Sequence, residues 1–156
     1  MLSQLLPTPL HPAVVHFPIV LAMIAPLAAG GALLAIRRGV PFRWAWGTVV
    51  VLLAGLALSG VVAKQTGETD EDVVESAVPH DAIEGHEEAA DRFVLLSLVA
   101  LATGAAGLSS AGIGRFARLA TLAGTGLTLV AGWQVGHAGG ELVYRHGAAA
   151  AHQTQP

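Results

Sequence analysis

The sequence predicts an all-α fold, an integral membrane four-helix bundle with both termini on the outer side of the bilayer (N-out/C-out). Three observations predict it. Of 156 residues, 53% are hydrophobic and only 12% charged, which is well to the apolar side of soluble domains. The mean hydropathy is +0.61. Four runs without a charged residue, 13–36, 44–63, 93–114 and 119–140, are spaced along the chain, and each can cross about 30 Å of hydrocarbon at about 1.5 Å per residue.

The first helix is expected over 12–36, ending at Arg37 and Arg38. It lacks the basic start and small-residue cleavage pattern of a secretory signal and reads as a retained span. Pro18 and Pro26 are tolerated there where neighbours satisfy the freed carbonyls. The second helix, 44–64, opens with Trp44 and Trp46, which suit the membrane interface. Ten of the eleven acidic residues then fall between Glu68 and Asp91, so 65–87 reads as a solvated outer acidic loop. The third helix is expected over 88–112 and the fourth over 116–140, with a polar tail at 145–156. Together they make a single domain.

In the fourth helix Gly124, Thr128, Gly132, Gly136 and Gly140 recur every four residues. Such a stripe lets another helix, or a flat ligand, approach the backbone closely. Orientation follows from the basic residues of short connections. Arg37, Arg38, Arg43, Arg115 and Arg118 share one end without any carboxylate, and Lys64, Arg92 and Arg145 share the other. The first end is expected to be cytoplasmic.

With no cysteine, disulfides, thiolate metal sites and covalently attached c-type haem are excluded. The sequence carries no phosphate loop, no nucleophile–base arrangement and no nucleic-acid surface. It reads as an electron carrier or a subunit rather than a free-standing enzyme.

All seven histidines, His11, His16, His80, His86, His137, His146 and His152, fall at the outer end of this topology. His16 and His137 stand at nearly equal height, roughly five to six turns above the inner arginines. Two imidazoles from different helices at one level are what a six-coordinate haem b requires; two or three also suit copper or zinc. An ionisable group inside a span is costly and is a functional candidate for that reason. An interfacial histidine bonded to a carbonyl or headgroup is the plainer alternative, above all for His146 and His152. Glu84, Glu87 and Glu88 beside His86 could orient an imidazole or relay protons, or form a solvated face that attracts a basic partner; Glu84, Glu87 or Asp81 could join the histidines at copper or zinc.

The opening His11-Pro12-Ala13-Val14-Val15-His16-Phe17-Pro18 and the closing Gly136-His137-Ala138-Gly139-Gly140-Glu141-Leu142-Val143-Tyr144 resemble a bacterial membrane family catalogued as domain of unknown function 2231. The resemblance spans residues 10–147. It implies a four-helix domain of the bacterial cytoplasmic (inner) membrane, joined in some relatives to c-type cytochrome modules. It also implies that the recurring histidines are His16, His86 and His137, with His80 able to replace His86.

The functional expectation is a haem b protein passing electrons between an outer-face redox partner, such as a c-type cytochrome, and quinone or another carrier. His16 and His137 are the favoured axial pair, His86 competes for either place, and His11 and His80 are weaker candidates. Gly132, Gly136 and Gly140 would make room for the porphyrin. Two alternatives stand beside it: an outer-face copper or zinc module, and a scaffold subunit of a larger complex or homodimer.

Overall fold

The computed structural model describes residues 10–75, 78–110 and 112–151, with backbone alone at 70–73 and 151. These residues form α1 (His11–Val14), α2 (His16–Arg37), α3 (Phe42–Val74), α4 (His80–Ala106), α5 (Gly112–Tyr144) and α6 (Ala148–Ala151). Each long helix packs on its neighbours in the cyclic order α2, α3, α4, α5, with α5 returning to α2.

Among the described residues, three segments are long and apolar enough to cross a membrane: His11–Arg37, Phe42–Thr69 and His80–Ala106. The 33 residues of α5 equal α3 in length, but glycines and threonines dilute its apolarity. The side-chain distribution differs from that of a soluble bundle. Phe17, Met23, Leu27, Val51, Leu58, Leu95, Phe116, Leu127 and Trp133 point outward, whereas α2 and α5 contribute mainly small residues to the interior (Ala22, Ala25, Ala29, Thr121, Thr125 and Thr128), packed against Trp46, Val49, Leu53 and Leu56 of α3 and Phe93, Ser97 and Ala100 of α4. Small residues on the inner faces of α2 and α5 and large apolar residues outside suit helices that associate by close packing within lipid. This is the build of an all-α membrane protein.

The buried hydroxyls cost little because each bonds back to its own helix. Ser97 donates to the Phe93 carbonyl at 2.8 Å, Thr121 to Ala117 at 2.8 Å, Thr125 to Leu122 at 2.7 Å and Thr128 to Gly124 at 2.9 Å.

Several boundaries differ from expectation. The first helix is interrupted at Val15, because Pro18 has no N–H to donate to the Val14 carbonyl. Val15 keeps helical angles, φ −59° and ψ −22°, and the direction of the chain is preserved. More consequential is the expected loop 65–87, most of which is helix: α3 continues to Val74 and α4 already begins at His80. Charge there signals solvation, not irregular backbone. Lys64 pairs with Glu68 at i,i+4 across 3.4 Å, Thr66 and Thr69 bond back to Ala63 and Gln65, and α4 starts after Pro79 with Asp81 in its first turn. At the other end α5 extends to Tyr144, where Glu141 and Arg145 pair at 2.6 Å.

The arginine end is closed tightly. The Trp46 indole N–H donates to the Gly104 carbonyl at 2.9 Å, and Arg118 donates to the Gly107 carbonyl. Arg118, one of the arginines expected to mark this end, is buried, 7% exposed, and its guanidinium lies 5.1 Å from the Phe42 ring centre. The last carbonyls of α4 are the negative end of its dipole, and a cation there is favourable.

Candidate functional site

The opposite end is open. A cavity of about 840 Å³ lies among all four long helices, within the range that holds drug-sized ligands. Its floor is Phe93, which is buried and wedged between two glycines. A Cβ on Gly60 of α3 would stand 3.2 Å from one edge of the ring, and a Cβ on Gly132 of α5 would stand 3.2 Å from the other.

Two turns above this floor the same device repeats with imidazoles. Gly67 follows Gly60 by one heptad on α3, and Gly139 follows Gly132 by one heptad on α5. A Cβ on Gly67 would come within 3.1 Å of the His11 ring, and one on Gly139 within 3.1 Å of the His86 ring. The two rings seated this way form a T-shaped pair, with centres 6.3 Å apart and planes at 89°, and the His11 and His86 side chains both line the cavity.

Their hydrogen bonding differs. His11 Nδ1–H donates to the Ala63 carbonyl at 2.8 Å, which puts the proton on Nδ1 and the lone pair on Nε2. The Thr66 hydroxyl donates to the same carbonyl at 2.9 Å. The His86 ring interacts with the Val135 backbone, and its buried Nδ1 has no hydrogen-bond partner among the described residues, an uncommon and costly state.

The charged lining belongs to α3 and α4: Lys64, Glu68 and Glu87. Lys64 bridges the two helices through an ion pair with Asp91. Val78, Ile83 and Ala148 form a small apolar cluster with Leu142 at the open end of the cavity.

The expected site residues divide. His16 and His86 line the cavity, as do Gly132, Gly136 and Gly140. His11, ranked lower from the sequence, is the imidazole that pairs with His86. His137 does not reach the cavity. It lies on the outer face of α5, stacked on Trp133 with ring centres 5.5 Å apart and planes 10° from parallel. His16 lines the cavity and His137 does not, so the expected axial pair does not share this site. His80 is exposed at the start of α4, His146 lies outside the cavity lining, and His152 falls outside the described residues. Among the described residues no group of three or more His, Asp or Glu side chains gathers as a metal site. Gly67, Gly139 and Lys64 were not anticipated; the repeated seven-residue glycine spacing is the signal that could have found the first two.

Apolar-faced helices, sealed at the arginine end and open at the other into a cavity with two paired imidazoles, define a membrane protein with a ligand-sized histidine site. Compared with protein-family models, curated proteins and solved structures, the chain matches none of them.

Proposed function

We propose that this chain is a four-span haem b protein of a bacterial inner membrane, with both termini and the histidine cavity at the outer face. It passes electrons between an outer redox partner and a carrier in the membrane. His11 and His86 are the residues that would hold the iron. The observation that carries this reading is their geometry: perpendicular rings 6.3 Å apart, each seated on a glycine, beside a cavity large enough for a flat ligand. Imidazoles on opposite sides of one metal, at about 2.0–2.1 Å per bond, have ring centres roughly 6 Å apart.

The surroundings of the pair support the same reading. The Ala63 carbonyl orients His11 through Nδ1, the outer-shell partner that ligating histidines usually have. The buried Nδ1 of His86 is a polar atom that no described residue satisfies. Haem b held by two imidazoles supplies one-electron chemistry, its potential set by the ligands and by burial. The carboxylates on α3 and α4 face outer water, where they would attract a basic partner. A copper or zinc module needs a third donor beside the pair, and the gathered side chains favour the two-ligand reading.

The test is an optical spectrum of detergent-purified full-length protein from haem-replete cells, oxidised and then reduced with dithionite. The expected result is a sharp haem b α band that is lost in His11→Ala and His86→Ala and kept in His137→Ala. A featureless spectrum of the unaltered protein overturns the proposal and favours a scaffold subunit.

A further inference from the structure

The helices around the cavity are not equally closed. On α2 and α5 the backbones meet at Ala22 and Gly132, where a Cβ on the glycine would lie 3.8 Å from the alanine methyl. One turn further out, a Cβ on Gly136 would meet nothing within 4 Å, and the same holds at Gly140. The two helices part above that contact. Exposed lining residues of α1, α2 and α5 mark the opening, Pro12, His16 and Ile19 on one edge and Gly136, Val143 and Tyr144 on the other, while the exposed Glu68 of α3 and Ala149 of α6 line the cavity elsewhere. The diametrically opposite interface, α3 with α4, is tied by Lys64 and Asp91.

We infer that this gap is a lateral portal that docks a lipid-soluble quinone ring, with His16 as its hydrogen-bonding residue. The inference rests on the membrane redox reading above and names the carrier left open there.

Three observations select the occupant. First, the rim lies beside exposed Phe17, Val20 and Met23 on α2 and Trp133 on α5, so the opening faces lipid, and a lipid-soluble molecule has direct access. Second, the six rim residues include no Lys, Arg, Asp or Glu. A carboxylate or phosphate head finds no counter-charge at that edge; the one cation of the lining, Lys64, lies on α3 and is already paired with Glu68 and Asp91. Third, the rim does contain an imidazole, at His16, and a phenol, at Tyr144. A polar side chain at a lipid-facing edge is costly without a function, and an acyl tail offers it no hydrogen bond. A neutral, flat molecule with ring oxygens meets all three conditions, and Gly136 leaves its face room against the α5 backbone.

The experiment uses full-length protein in lipid nanodiscs and a photoreactive azidoquinone, with labelled peptides mapped by mass spectrometry. Labelling is expected on α2 near His16 and Ile19 and on α5 near Gly136 and Val143, suppressed by excess unlabelled quinone. Gly136→Trp, which enters open space and leaves the fold intact by circular dichroism, is expected to reduce it at least tenfold. His16→Ala is expected to weaken it, with partial rescue by His16→Gln. Labelling that is absent, spread over the lipid-facing surface, not competed by quinone, or unaffected by Gly136→Trp overturns the portal. Haem-free protein separates the two proposals: competed labelling without any haem spectrum removes the haem and keeps the portal, and a haem spectrum without competed labelling does the reverse.

Discussion

The imidazole of His86 lies against Gly139, with Cε1 3.1 Å from where a Cβ would stand. Seven residues earlier on α5 and seven later on α4, Phe93 lies against Gly132 in the same way. Two large groups on one helix therefore fit into two gaps on the next, so the packing that holds the bundle together also aims a histidine into the cavity.

Gly139→Ala is the direct test of that seat. The added methyl forces the ring to move by a few tenths of an ångström. Haem retention is expected to fall about tenfold, the usual scale when an outer-shell support of a ligand is lost. Gly126→Ala, with nothing within 4 Å and outside the cavity lining, is expected to leave retention unchanged. Haem-to-protein ratios after purification check both; equal ratios in the two variants would remove the seat argument.

Phe93 is a packing residue. Truncation to Ala empties the space between Gly60 and Gly132 and is expected to cost about 3–5 kcal/mol. Denaturation in mixed micelles, followed by circular dichroism, measures it. A loss under about 1 kcal/mol would mean that the helices collapse onto the gap.

Much of this was legible in the sequence. Charge-free runs located the first two spans and the body of the fourth, and the arginines marked the closed end. The third run, 93–114, crosses the turn after Ala106, so α4 ends before the expected 112 and α5 begins before the expected 116. Two things were not. The extension of α3 past Lys64 was hidden because a run of acids was taken for a loop, although Glu68 sits at i+4 from Lys64 and supports helix. The pairing of His11 with His86 was hidden because counting residues gives height and not direction. His137 belongs to the outward ridge of Phe116, Leu127, Val130 and Trp133. A membrane helix turns its large residues out, so the small residues Thr128, Ala131 and Gly139 mark its inner face.

The arginine end makes its own prediction. Arg118→Ala removes the guanidinium donor from the buried Gly107 carbonyl, and Trp46→Phe removes the indole donor from the Gly104 carbonyl, which keeps the Gly107 N–H at 3.0 Å. Each is expected to cost about 1–3 kcal/mol, without changing any cofactor spectrum, because the cavity lies at the other end. The same micelle denaturation, run beside an optical spectrum, checks both halves. Asp91→Asn, which removes a partly exposed ion pair, is expected to cost under about 1 kcal/mol.

The orientation of the bundle can be tested without altering the site, because the chain has no cysteine. Arg38 is exposed at the arginine end, and Gly85 is exposed near the histidine end with no neighbour within 4 Å of an added Cβ. Cysteine at either position is therefore tolerated and is the sole thiol. With a membrane-impermeant maleimide on intact spheroplasts, Gly85→Cys is expected to react at once and Arg38→Cys only after permeabilisation. The reverse pattern would put the histidine cavity on the cytoplasmic side. The electron partner would then be a cytoplasmic protein, and the acidic ends of α3 and α4 would face it.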